Sequence, residues 1–189
     1  MTILALDTAS YTTGYAVYKN GSITVYGSIK LKGKGATDTE RTQDRISQLY
    51  VKVRDLISKH EITQIVAEDI FRDSDPKKKS AVEVLAMCRG TVIAANTEKQ
   101  LLPIQYINPL RVKNYMWGYT SSRKDHREML HEEHKARMCR AVERLGYILN
   151  TDRKGNKDND TADAIGILIT YLKGRNIPVK HPNANNTTT

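Results

Sequence analysis

Apolar residues recur along the chain in two spacings, one typical of strands and one typical of helices. Short apolar or alternating runs predict five strands, at 2–7, 14–19, 22–31, 64–68 and 103–107. Asn20-Gly21 separates the second run from the third and favours a tight hairpin turn. The first three strands are therefore expected to form an antiparallel meander.

Apolar positions three and four residues apart predict helices over 39–59, 80–98, 109–116, 128–146 and 160–173. Strands followed by alternating helices and strands indicate an α/β sheet that mixes antiparallel and parallel pairs, with helices on both faces. The length fits one domain, which we place at 1–175. Residues 176–189 are rich in proline, asparagine and threonine, and we expect them to be disordered.

Four carboxylates occupy positions where ligands commonly bind. Asp7 ends the first strand and Glu68 ends the fourth, while Asp160 and Asp163 share one face at the start of the last helix. If the two strands are parallel neighbours, their terminal carboxylates meet at one rim of the sheet. Asp158 competes with Asp160 as a ligand, since both precede the same helix. An aspartate in a first helical turn is also common as a simple cap, which is the alternative reading of Asp160 and Asp163.

The overall charge points to nucleic acid as a partner. The chain carries 30 basic and 21 acidic residues, a formal charge of +9 and a pI near 9.5. An acidic pocket on a basic surface is typical of a metal-dependent nuclease. Mg²⁺ is usually held by one or two carboxylates together with substrate phosphates, and two ions about 3.5–4 Å apart can drive phosphodiester displacement.

The N-terminus enters a strand at once, and no apolar run reaches the roughly 18 residues of a membrane span. We therefore expect a cytoplasmic protein with no membrane partner.

Four short motifs, in order, resemble those of RuvC-family Holliday junction resolvases. They are Asp7–Tyr15, Val66–Phe71, Ala86–Gly90 and Asp160–Ala164. The resemblance covers about residues 1–173. It implies an RNase H-like fold with a mixed five-stranded sheet and a homodimer that makes paired nicks in four-way DNA junctions. It also implies dependence on Mg²⁺ or Mn²⁺, with two ions per site and no nucleotide cofactor.

The resemblance also assigns roles to individual residues. It implies that Asp7, Glu68, Asp160 and Asp163 are the catalytic metal ligands. Lys113 and Lys135 match family lysines near the active site, where they would hold the scissile phosphate or stabilise its developing charge.

Two departures resemble phage-type members of the family. Thr8-Ala9 follows the first aspartate where the family often has Pro-Gly, and a longer segment, 117–134, precedes the charged helix. We therefore expect a role in the recombination or processing of phage DNA, in the host cytoplasm, with other branched DNA among the substrates.

Several residues near the motifs are candidates for DNA contacts. Phe71 is either a core anchor or an exposed wedge that stacks on a base, and the resemblance favours the wedge. The other candidates are basic and suit phosphates: Arg72, Lys77, Lys78, Lys79, Arg111, Arg123 and Lys124.

The second helix has more apolar surface than one sheet face needs. Val84, Met87, Cys88 and Thr91 either face a second copy or are buried in the core. Two other classes compete with a nuclease. One is a non-catalytic DNA-binding protein on the same fold. The other is an ATPase of the actin/hexokinase-like fold, which requires a glycine-rich phosphate loop later in the chain, and none is visible.

Overall fold

The computed structural model describes residues 1–69, 79–120, 124 and 129–182. Within them, five strands form one sheet in the order β3-β2-β1-β4-β5. The strands are β1 (Ile3–Asp7), β2 (Thr12–Lys19), β3 (Ser22–Lys30), β4 (Gln64–Glu68) and β5 (Leu102–Ile107). β1, β2 and β3 pair antiparallel, whereas β1–β4 and β4–β5 pair parallel. The predicted mixed five-stranded sheet is confirmed.

Five longer helices connect and cover the strands. They are α1 (Asp38–His60), α2 (Lys79–Glu98), α3 (Pro109–Trp117), α4 (His131–Arg144) and α5 (Asn159–Gly174). α1 begins at a capping box, in which Thr37 and Glu40 satisfy each other's backbone N–H groups. α4 is shorter than the predicted 128–146, because the backbone N–H of Leu145 bonds to Val142 and the chain then turns at Gly146.

The helices divide between the two faces of the sheet and form two cores. Alternate strand residues such as Ile3 and Ala5 pack with α5, α3 and α4. The residues between them, such as Leu4 and Leu6, pack with α1 and α2. α5 is buried along most of its length, so it is the central helix of the first face.

The position of α2 decides one open alternative. Cys88 is completely buried in the second core, and Val84 packs against that core. The interpretation that Cys88 faces a second copy is therefore wrong, whereas for Val84, which is half-buried, it stays open. Met87, one residue before Cys88, is 55% exposed.

Part of the segment expected to be disordered contacts the sheet. The Tyr18 hydroxyl donates to the Pro178 carbonyl at 2.9 Å, and Lys180 forms a β-bridge with Ser22. Residues 183–189 lie outside the described residues, so the boundary of the domain stays a prediction. Among the described helices, none has the length and apolar character needed to cross a bilayer.

Candidate active site

Strand register brings the first two carboxylates together. In the parallel β1–β4 pair Leu6 lies opposite Ala67, so Asp7 and Glu68 follow as neighbours on adjacent strands. Side chains alternate along a strand, which places Asp7 on the same face as Ile3 and Ala5, the face covered by α5. We call this end of the sheet the carboxylate edge.

The first turn of α5 supplies the other two carboxylates. Asp158 caps the helix by accepting from the Thr161 backbone N–H at 3.1 Å, and it also accepts from the Ser28 hydroxyl at 2.7 Å. The Asp158 carboxylate is thereby bound within the fold, whereas the carboxylates of Asp160 and Asp163 make no hydrogen bond with a described residue. The cap and the bond to Ser28 favour Asp160 over Asp158 as the ligand, and that choice stays a prediction.

α5 reaches the carboxylate edge because Gly14 lets it approach. Gly14 pairs with Asp7 in the β1–β2 ladder. A Cβ atom on Gly14 would lie 1.8 Å from the backbone oxygen of Asp160. The missing side chain therefore allows the first turn of α5 to rest on β2 beside Asp7.

Burial and mutual repulsion disfavour the ionised form of this cluster. Burial raises the pKa of Glu68 to about 8, and the Asp7 carboxylate adds to the effect. Burial, then Glu68 and Asp160, raise the pKa of Asp163 to about 7. The pKa of Asp7 is also raised well above its ordinary range, by burial and then by Asp163 and Asp160. These reciprocal effects indicate that the four carboxylates form one cluster.

Three lysines from three different elements lower the pKa of cluster carboxyls, which opposes the effect of burial and repulsion. Lys113 on α3 lowers the pKa of both Glu68 and Asp163. Lys135 on α4 lowers the pKa of Asp163 and Asp160, and Lys30 at the end of β3 acts on Asp160 as well. Lys113 and Lys135 were predicted from the sequence, and Lys30 was not. Its signal was the β2–β3 hairpin, whose register places Lys30 opposite Thr12.

The cluster fits a divalent cation by donor type and charge. All four groups are half-buried oxygen donors, and none has a hydrogen bond or ion pair with another described residue. Among the described residues, no three acidic, histidine or cysteine side chains already have the spacing of a complete metal site. Unscreened carboxylates repel one another, so wider spacing is expected before a cation binds.

Only some of the residues predicted to contact DNA lie within the described part of the chain. Arg111 is exposed on α3, and its guanidinium lies against Gly174 in the last turn of α5, at the opposite end of that helix from Asp160. Lys124 is exposed, and Lys79 begins α2. Phe71, Arg72, Lys77, Lys78 and Arg123 lie outside the described residues.

A carboxylate cluster at the edge of a mixed β3-β2-β1-β4-β5 sheet defines a nuclease-like α/β protein, and comparison with known proteins specifies the family. Residues 3–171 match the family model described as crossover junction endodeoxyribonuclease RuvC. The chain therefore belongs to the RuvC family, and the predicted class of Holliday junction endonuclease is confirmed at the level of the family.

Individual relatives agree along nearly the whole chain. The RuvC proteins of Alkaliphilus metalliredigens and of a Sulfurovum species are 25% and 28% identical, over 90% and 92% of this chain and 92% and 96% of their own. The solved structure of Thermus thermophilus RuvC superimposes with a TM-score of 0.62 at 17% identity, over 96% of this chain and 99% of that one. That likeness supports the RNase H-like fold.

Proposed function

We propose that this chain is a divalent-metal-dependent endonuclease that resolves four-way DNA junctions by paired nicks, one from each subunit of a homodimer. The observation that carries the proposal is the carboxylate cluster, because four half-buried carboxylates without described hydrogen-bond partners repel one another in the ionised form, and bound cations would offset that repulsion. A Thermus thermophilus RuvC structure is described as a complex with Holliday junction substrate, which supports the same substrate class here.

The chemistry follows from the donor set. Two bound Mg²⁺ or Mn²⁺ ions would supply an activated water and stabilise the leaving oxygen. Asp7 and Glu68, fixed on neighbouring strands, and Asp160 and Asp163, fixed on α5, would hold those ions at the carboxylate edge. A rigid sheet and a buried helix keep such ligands in place better than loops do.

Lys113 and Lys135 suit the scissile phosphate. Both are half-buried, and both lower the pKa of Asp163. A lysine provides a point charge that can neutralise a phosphate and the charge that develops on it during displacement. The remaining predicted contacts, including the Phe71 wedge and the action on phage DNA, stay predictions.

A groove between α1 and α2 is the surface we propose for the second subunit. It is lined by apolar and small residues, among them Val51, Met87, Thr91 and Ala94. Val51 and Met87 are 41% and 55% exposed, and Ile93 nearby on α2 is 45% exposed. Contiguous exposed apolar residues of this kind are typical of protein interfaces.

The substitution Glu68→Gln tests the catalytic assignment. It keeps the side-chain shape but removes the charge that binds cations. Cleavage of a labelled four-way junction in Mg²⁺ should fall by at least about a hundredfold, since a lost ligand removes several kcal/mol of transition-state stabilisation. Junction binding, measured by gel shift, should remain within a few-fold of wild type.

Glu61→Gln is the matched control. Glu61 precedes β4 at the other end of that strand and is bound only to Lys19 at the surface. The Glu61→Gln variant should cleave the four-way junction at the wild-type rate. Full cleavage by Glu68→Gln would show that the catalytic assignment is wrong, and a wild-type chain that binds junctions without cutting them would indicate a non-catalytic DNA-binding protein.

A further inference from the structure

A polar cleft of about 290 Å³ lies directly beside Asp160. Its walls are the paired ends of β2 and β3, the loop 150–158 and the first residues of α5. Thr12, Lys30, Asn150 and Lys157 are among the residues that line it. Because Asp160 belongs to both, the cleft is continuous with the candidate active site.

Sheet register places Lys30 on the carboxylate side of this cleft. Gly14 pairs with Asp7 on one side and with Ser28 on the other, and two residues further along Thr12 pairs with Lys30. Because side chains alternate, Thr12 and Lys30 lie on the same face as Asp7. Two residues of strand correspond to about 7 Å. Lys30 is thus about one such step beyond the carboxylate edge.

The far wall of the cleft is preorganised. Asp152 accepts from the backbone N–H groups of Lys154 at 2.8 Å and Asn156 at 2.9 Å, which closes the turn of the loop. The Asp158 backbone N–H donates to the Asn150 carbonyl at 2.9 Å, and its carboxylate caps α5. The carboxylates of Asp152 and Asp158 therefore already accept hydrogen bonds from the wall itself, and the loop is held against α5.

The two lysines of the cleft differ in their ion pairing. Lys157 is paired with Glu143 at 2.5 Å. Lys30 is exposed and forms no ion pair with any residue that the structure describes, although Asp152 and Asp160 lie near enough for its charge to lower their pKa. An exposed lysine at the mouth of a polar cleft is suited to an anion that arrives with the substrate.

We infer that Lys30 binds the DNA backbone phosphate adjacent to the scissile one, with the Thr12 hydroxyl and the Asn150 amide as further hydrogen-bond donors. The inference rests on the proposed function, because the anion is a phosphate of the same DNA strand. Lys30 is a positioning residue: it fixes where the strand lies relative to Asp160. A phosphate contact fixes register without reading sequence, so its effect is the same for every junction sequence.

Lys30→Ala, Lys30→Arg and the matched control Lys52→Ala test this role. Lys52 is exposed on α1, on the other side of the sheet, so its removal makes the same change in net charge. Lys30→Ala should weaken junction binding on the order of fivefold to tenfold at 0.1 M salt and reduce the slope of log K against log[salt] by about 0.9. Because the strand would be held less firmly beside Asp160, the saturating single-turnover cleavage rate of Lys30→Ala should also fall, whereas that of Lys52→Ala should not. Lys30→Arg should restore binding.

A junction with one neutral methylphosphonate beside the scissile phosphate locates the contact. The modification should weaken binding by wild type and by Lys52→Ala, but not by Lys30→Ala, which has already lost the contact. Equal losses in all three proteins, or a Lys30→Ala variant that follows Lys52→Ala throughout, would overturn the inference. Binding is measured by fluorescence anisotropy without cleavage, so a wild-type chain that fails to cut refutes the proposed function while Lys30 is still tested.

Discussion

Gly14 determines how closely the two halves of the candidate active site approach. It lies opposite Asp7 in the sheet and directly beneath the backbone oxygen of Asp160. The contact partner is backbone, which cannot rotate away as a side chain can. One glycine therefore couples the position of the strand carboxylates to that of the helix carboxylates.

Gly14→Ala should separate the two pairs of ligands. The contact would have to lengthen by at least about 1.2 Å, from 1.8 Å to the 3.0 Å that real Cβ atoms tolerate. Overpacking of this kind costs about 1–3 kcal/mol of folding free energy. A displacement near 1 Å can reduce activity about a hundredfold. Urea unfolding and junction cleavage measure the two effects.

Gly90→Ala provides the control for the effect of Gly14→Ala on folding stability alone, since Gly90 also lines the α1–α2 groove proposed for the second subunit. Gly90 lies within α2, and a Cβ atom there would meet nothing within 4 Å. Alanine is favoured over glycine in a helix by up to about 1 kcal/mol, so this variant should be as stable as wild type or more so. If Gly14→Ala is as stable as Gly90→Ala and cuts junctions as wild type does, the close approach of α5 does not matter for the site.

The residues of the site differ in how far they could be predicted from sequence. Asp7 and Glu68 were predictable because each directly follows a buried apolar run. Asp158 and Asp160 were not distinguishable, because both precede the same helix, and only the bonds from Thr161 and Ser28 show which one is the cap. Lys30 was missed because its proximity to the cluster depends on register across two hairpin-linked strands.

At the level of elements, the sequence predicted all five strands and the five longer helices to within a few residues. It could not predict which side of α2 is buried, since that depends on how α1 and the sheet pack against it. Cys88 and Val92 are in the core, whereas Met87 and Thr91 line the groove beside α1. An apolar stripe wider than one face is compatible with either arrangement.

Met87→Lys tests whether the α1–α2 groove is the subunit interface. A lysine buried there without a partner would carry a desolvation cost, so the dimer should dissociate at least about tenfold more readily, as sedimentation or light scattering would measure. On a four-way junction, nicks on the two strands should then occur independently of each other.

Ile148→Lys is the control for Met87→Lys. Ile148 is 80% exposed and lies outside the groove. It should leave the molecular mass in solution and the coupling of the two nicks unchanged. A Met87→Lys protein with the same mass as wild type would place the interface elsewhere.

On the scale of the whole molecule, the carboxylates that the proposed function requires also lower the folding stability as pH rises. The carboxyls of Asp7, Glu68 and Asp163 have a raised pKa in the folded chain, whereas in the unfolded chain they titrate near their ordinary values. Between about pH 4 and pH 8 the folded state therefore binds more protons than the unfolded state. By linkage, this contribution to stability is present at low pH and is lost as pH rises through the folded-state pKa values.

Stability without metal should consequently fall between pH 5 and pH 8, and a divalent cation should reverse the fall. Unfolding midpoints measured in EDTA should decrease across this range. Added Mg²⁺ should raise the midpoint more at pH 8 than at pH 5, because at pH 5 protons compete for the same oxygens. Lys30, Lys113 and Lys135 moderate the effect, since each lowers the pKa of a cluster carboxyl.

Asp7→Asn isolates the cluster from other titrating groups. Burial lowers the pKa of His60 and His181, so their contribution to stability decreases as pH falls below about 6.5, opposite to that of the cluster. Both histidines remain in the variant, so the difference in stability between Asp7→Asn and wild type measures the contribution of the carboxylate cluster alone. Asp7→Asn should be more stable than wild type at pH 8 in EDTA, gain less from Mg²⁺ and lose cleavage. Parallel pH profiles of the unfolding midpoint for the two proteins would show that Asp7 is not electrostatically coupled to the other carboxyls. The case for joint cation binding would then fail.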